Sequence, residues 1–111
     1  MYASVRKYGA DADQVGELMQ RIDKDFAGRL EEMPGFIAYQ AIDAGADRGG
    51  EGLVITVTIC HDREAADRSA ELAAEFVRDE LGDVKIERIE AATGEVTVNR
   101  AVSEVLEAAH A

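Results

Sequence analysis

The chain has 111 residues and 47% apolar content, which suits a single domain with one core and leaves no room for a second. Its 23 acidic residues outnumber 12 basic ones, giving a formal net charge of −11, and the basic residues stand singly among acids. Nucleic acid and anionic lipid are gripped by clustered Lys and Arg, so this balance argues against both as partners.

Tyr2 to Tyr8 is rich in aromatic and β-branched residues and predicts a strand, broken at Gly9 and Ala10. Asp11 with Gln14 forms a capping-box pattern. Behind it Val15, Leu18, Met19, Ile22, Phe26 and Leu30 recur at helical spacing, predicting a helix to about Glu32 that Pro34 and Gly35 end. Phe36 to Asp43 predicts a second strand, Gly45 to Gly52 a loop, and Leu53 to Cys60 a third strand, together a β-hairpin.

Asp62 is placed to cap a second helix, with Ala66, Ser69, Ala70, Ala73, Phe76, Val77 and Leu81 on one face and Gly82 at its end. A fourth strand is expected from about Val84 to Ala91. Gly94 is expected to turn the chain into a short extended piece, Glu95 to Asn99, before a C-terminal helix from about Ala101. The order β-α-β-β-α-β is the ferredoxin-like split βαβ arrangement, with an antiparallel sheet and a short C-terminal extension.

In that topology both helices cover one face of the sheet. Two-residue alternation places Ile37, Tyr39, Leu53, Ile55, Val57 and Ile59 on one face, and Phe36, Ile42, Val54, Thr56 and Thr58 on the other. Neither face is polar, so the uncovered one is expected to meet a second copy in a symmetric homodimer.

Cys60 is the sole cysteine, which rules out an intrachain disulfide and points to a reducing compartment. Met1 to Ala10 lacks the apolar core of a signal peptide, and the Leu53–Cys60 run is far shorter than the ~20 residues that span a bilayer. The expected location is cytoplasmic, with no membrane partner.

Few residues carry chemistry. Cys60 and His61 are adjacent, but neighbours in a strand point to opposite faces and cannot readily share a ligand, so no metal site is expected. The loop Gly45 to Gly52 joins strand to strand and carries Asp47 and Glu51, unlike a phosphate cradle, which opens a helix. Glu31-Glu32 and Asp79-Glu80 fall at helix ends, away from the apolar stripes, and read as solvated charge. Tyr39, whose hydroxyl needs a partner if buried, and His61 at a strand end remain as candidate ligand-binding residues.

Pro34-Gly35-Phe36, then Leu53-Val54-Ile55-Thr56-Val57-Thr58-Ile59 and Asp62-Arg63-Glu64-Ala65-Ala66, resemble the dimeric α+β barrel superfamily. Within it the chain is similar to antibiotic-biosynthesis-monooxygenase-like proteins, from Tyr2 to about Ala91. The resemblance implies a cleft between sheet and helices for a hydrophobic small molecule or haem, and in some members oxygenation without a cofactor. Catalytic members typically carry a Trp leading into the second helix; this chain has none, and Cys60 and His61 stand there instead. No catalytic set carries over, and no cofactor is expected. The expectation is a small-ligand-binding homodimer, against two rivals: a cofactor-independent monooxygenase using Tyr39 or His61, and an interaction domain without a pocket.

Overall fold

The computed structural model describes residues 1–46 and 50–101. Strand β1 (Tyr2–Asp11) buries Ser4, Arg6, Tyr8 and Ala10 and leaves the intervening side chains half-buried, the period of two that a strand imposes. The chain then passes through a 3-10 turn (Ala12–Gln14), helix α1 (Val15–Arg21), a π-helical turn (Ile22–Phe26) and helix α2 (Ala27–Glu31).

The predicted stripe of this composite helix is buried, with Met19 half-buried. Leu18, Ile22, Phe26 and Leu30 are spaced by four, which drifts about 40° per step around an ordinary helix of 3.6 residues per turn. The wider π turn absorbs that drift and keeps all four over the sheet.

The expected capping box does not form. Asp11 is the last residue of β1, and its side chain makes no cap hydrogen bond. The strand runs straight into a tight turn, which denies the box its geometry. Both side chains turn instead to the start of the last strand: Gln14 Oε1 accepts from the Lys85 amide at 3.3 Å, and Asp11 lies 3.9 Å from Lys85 Nζ.

Past Pro34, Gly35 adopts φ +85°, and β2 (Phe36–Ala46) and β3 (Glu51–Cys60) form the hairpin. Both strands run further than the sequence predicts, which shortens the loop; Gly45 and Gly50 flank it at φ +89° and +78°. Helix α3 (Arg63–Glu80) starts where Asp62 Oδ1 accepts from the Ala65 amide at 2.8 Å, the cap read from the sequence. Its buried face is Ala65, Ala66, Ser69, Ala73 and Phe76. Gly82 is not among the positive-φ glycines, so it does not stop the helix in the left-handed form; buried Leu81 anchors that end and accepts from the Val84 amide at 3.0 Å.

Strand β4 (Ile86–Glu95) corrects the reading of Gly94 as a turn. Gly94 pairs with Ala3 inside the ladder, and beyond it the Val96 amide donates to the Met1 carbonyl at 2.9 Å. The whole edge of the long β1 is available, and pairing along it outweighs glycine's weak strand preference. The expected C-terminal helix falls mostly on 102–111, outside the described residues.

The four strands lie in the order β2-β3-β1-β4, all antiparallel, with the helices packed on one face. Arg21 pairs with Asp83 at 2.9 Å and donates to the Glu80 carbonyl, while Arg29 pairs with Glu80 at 2.6 Å. These contacts tie the composite helix to the end of α3 and hold the two helical elements side by side.

The face assignment needs one correction. Tyr39 lies opposite Thr58 and packs under the helices, whereas Ile42 lies opposite Ile55 on the uncovered face. A bulge between Phe36 and Ala38 inserts one residue, and simple alternation cannot follow such a shift. The uncovered face carries Leu53, Ile55, Val57 and Ile59, all half-buried, with Ile42.

Candidate functional site

Between the sheet and the helices is a half-open cleft. Its floor comes from alternate residues of β1 and β3, Arg6, Tyr8, Val54 and Thr56, with Tyr39 from β2 and Ile86 from β4. The π turn lowers Ile22 and Phe26 onto it, and α3 contributes Ala73, Phe76 and Val77. Its volume is about 20 Å³, and a water molecule needs roughly 10–15 Å³ by that measure, so it holds about one water.

The roof is aromatic. Phe26 meets Tyr39 edge to face at 5.6 Å between ring centroids and Phe76 at 5.1 Å, and the Arg29 guanidinium lies 5.6 Å from the outer face of the packed Phe76 ring.

Tyr39 is thus brought into the cleft. Burial pushes its phenol well above the usual tyrosine value, a trend the nearby Arg6 opposes and Tyr8 reinforces. The hydroxyl is protonated at neutral pH, so it is suited to donate a hydrogen bond rather than to act as a base.

His61 lies elsewhere. It is exposed at the far end of β3, outside the cleft lining, with its amide donating to the Gly35 carbonyl at 2.8 Å. Cys60 is fully buried on the helix side of the same strand. Burial and the neighbouring Asp62 raise its thiol, so it stays protonated and a weak nucleophile. Among the described residues no three His, Cys, Asp or Glu side chains converge as a metal site would require.

The residue that sequence reasoning passed over is Arg6. It is 2% exposed and lies on the cleft floor, where Nη1 donates to Ser4 Oγ at 2.9 Å and Nη2 to Thr58 Oγ1 at 3.3 Å. One signal could have found it: alternation along β1 puts Arg6 in register with Ser4, Tyr8 and Ala10, on the face the helices cover. Arginine in such a position is rare unless it is paired.

No known family profile matches the chain, and no curated protein matches it. Solved structures match its fold over nearly its whole length. A dimeric ferredoxin-like protein from an uncultured marine organism superposes at a TM-score of 0.68 with 12% identity, covering 92% of this chain and 100% of that one. The haem degrader MhuD from Mycobacterium tuberculosis, solved with two haems in its active site, gives 0.64 and 20%, covering 91% and 100%. The ActVA-Orf6 monooxygenase of Streptomyces coelicolor, solved with nanaomycin D, gives 0.60 and 12%, covering 90% and 92%. Among the described residues no helix is long and apolar enough to cross a membrane. At these identities the likeness shows the fold alone: the chain has the ferredoxin-like α+β architecture of these proteins.

Proposed function

We propose that the protein is a cytoplasmic homodimer that binds a hydrophobic, ring-bearing small molecule in the cleft between sheet and helices. The observation that carries this reading is the cleft's lining: Phe26, Phe76, Tyr8 and Tyr39 gather around a half-open cavity with a protonated phenol at its side. Apolar walls with a few placed polar groups are the usual make-up of a small-molecule site. Haem in MhuD and nanaomycin D in ActVA-Orf6 are ring systems of the same general kind, which supports the ligand class.

The homodimer rests on the uncovered apolar face of β2 and β3, since large exposed apolar patches mark interaction surfaces. The neighbour named as a dimeric ferredoxin-like protein supports it.

Cofactor-independent oxygenation is the weaker reading. It needs a base beside the substrate, yet Tyr39 is held protonated and His61 lies outside the cleft. The size of the cavity favours a different rival, an interaction domain without a ligand, because a ring system enters only if the π turn or α3 moves.

Native mass spectrometry of the protein as purified, with thermal-shift titration of polycyclic aromatics and haem, separates these readings. Binding predicts a retained molecule or a raised melting temperature that Ala73→Val, which narrows the cleft, reduces. No retained mass and no shift with any compound would leave the interaction domain standing.

A further inference from the structure

Arg6 is the only charged side chain buried among the described residues, and it makes no ion pair there. Its two bonded partners, Ser4 and Thr58, are neutral hydroxyls. A guanidinium keeps its charge at any physiological pH, so these contacts satisfy two donors without neutralising the cation. Its Nε donates to nothing. Directly opposite in the ladder stands Thr56, 3% exposed, whose Oγ1 also has no partner. Two facing residues that line one cavity the size of a water molecule therefore each carry an unpaired polar atom.

Burying a charge without a counter-ion is among the costliest arrangements in a protein. Acid is abundant in this chain, with 23 Asp and Glu residues, so a partner carboxylate was available to it and is not used on this floor. A lone structural arginine would be expected to fill its donors with backbone carbonyls or an acid. Here the residues that carry the open donor and the open hydroxyl both line the cavity that the aromatic side chains roof.

We infer that the ligand of this cleft is an anion, an apolar ring system bearing one charged oxygen that accepts from Arg6 Nε and from the Thr56 hydroxyl. The inference rests on the ligand-binding reading above and narrows its ligand class. The space present fits the charged oxygen alone, so the ring body lies toward the half-buried members of the lining, Tyr39, Val77 and Ile86. Tyr39 lines the same cavity and is close enough to feel the charge of Arg6. Charge-assisted hydrogen bonds of this kind are about twice as strong as neutral ones, so the cation should dominate selectivity between ligands.

The test is isothermal titration of the full-length protein with matched acids and amides: benzoate, 2-naphthoate and 2-anthracenecarboxylate against the corresponding carboxamides. The expected result is at least a tenfold preference for an acid over its amide, lost in Arg6→Met and reduced several-fold in Thr56→Val. Arg6→Met should melt no lower than wild type in the absence of ligand, because it removes an unneutralised buried charge. If Arg6→Met does not fold, Thr56→Val, which keeps side-chain shape and removes only the hydroxyl, carries the comparison. Equal binding of acid and amide would overturn the anion inference and leave the ligand-binding cleft intact. A preference that survives in Arg6→Met would overturn the role of Arg6. No binding by any of the six probes would overturn both readings.

Discussion

Tyr39 and Phe26 meet edge to face at 5.6 Å, one from the middle of a strand and the other from the π turn above it. The contact pins an irregular piece of helix to the sheet at the cleft. Phe26 is 3% exposed and also touches Phe76, so Phe26→Ala removes the centre of the aromatic roof. The expected loss is about 3–5 kcal/mol, a large share of the ~5–15 kcal/mol that holds such a domain together. Urea unfolding followed by circular dichroism measures it, and a loss below about 1 kcal/mol would mean that the roof is not packed as described.

The alkaline stability of the protein should depend on Tyr39. Its phenol is raised above the ordinary value of 10.0, so above that pH the unfolded chain releases a proton that the folded chain keeps. The contribution is complete below pH 10.0 and declines as the pH rises toward the folded value. Tyr39→Phe should flatten the fall in urea midpoint between pH 9 and pH 11, about one unit either side of the ordinary tyrosine value. Parallel slopes in the two proteins would show that Tyr39 is not desolvated.

Gly35 should tolerate no side chain. Its φ is +85°, and a Cβ built there would stand 2.8 Å from the Ala65 Cβ of α3. The backbone term alone is about 1–2 kcal/mol, and the clash adds to it. Gly35→Ala should therefore lower the melting temperature, whereas Gly28→Ala, with nothing within 4 Å of the added carbon, should not. Gly28 sits in a helix, where alanine is favoured by about 1 kcal/mol, so an equal fall in both variants would contradict the packing at Gly35.

The uncovered sheet face gives a prediction about mass. Wild type, at 12.0 kDa per chain, should sediment as a species of twice that mass. Ile55→Glu places a charge opposite Ile42 in the middle of the face and should yield a folded monomer with unchanged circular dichroism. A wild-type monomer, or an Ile55→Glu dimer, would mean that this face is not the contact.

Much of the fold is legible in the residues. The helical stripes from Val15 to Leu30 and from Ala66 to Leu81, the Asp62 cap, the break at Pro34-Gly35 and the long β3 all follow from local periodicity and backbone preference. That the hydroxyl of Tyr39 must find a place is readable as well, because it stands in an apolar strand, but the face it takes is not.

Other features depend on which segments meet. The bulge after Phe36 moves Tyr39 to the helix side and Ile42 to the open side, and no spacing within β2 reports it, because the extra residue is defined only against β3. Gly94 becomes part of a strand because β1 offers it a partner, and Gln14 serves Lys85 because the ladder brings the two together. The unpaired Nε of Arg6 is the clearest case. From the sequence the residue is one arginine among scattered charges, and it becomes a buried cation only when the helices close over β1. Local interactions act through neighbours in the chain, so the sequence carries them openly; register, burial and charge pairing are properties of pairs brought together from afar, and only the tertiary fold decides them.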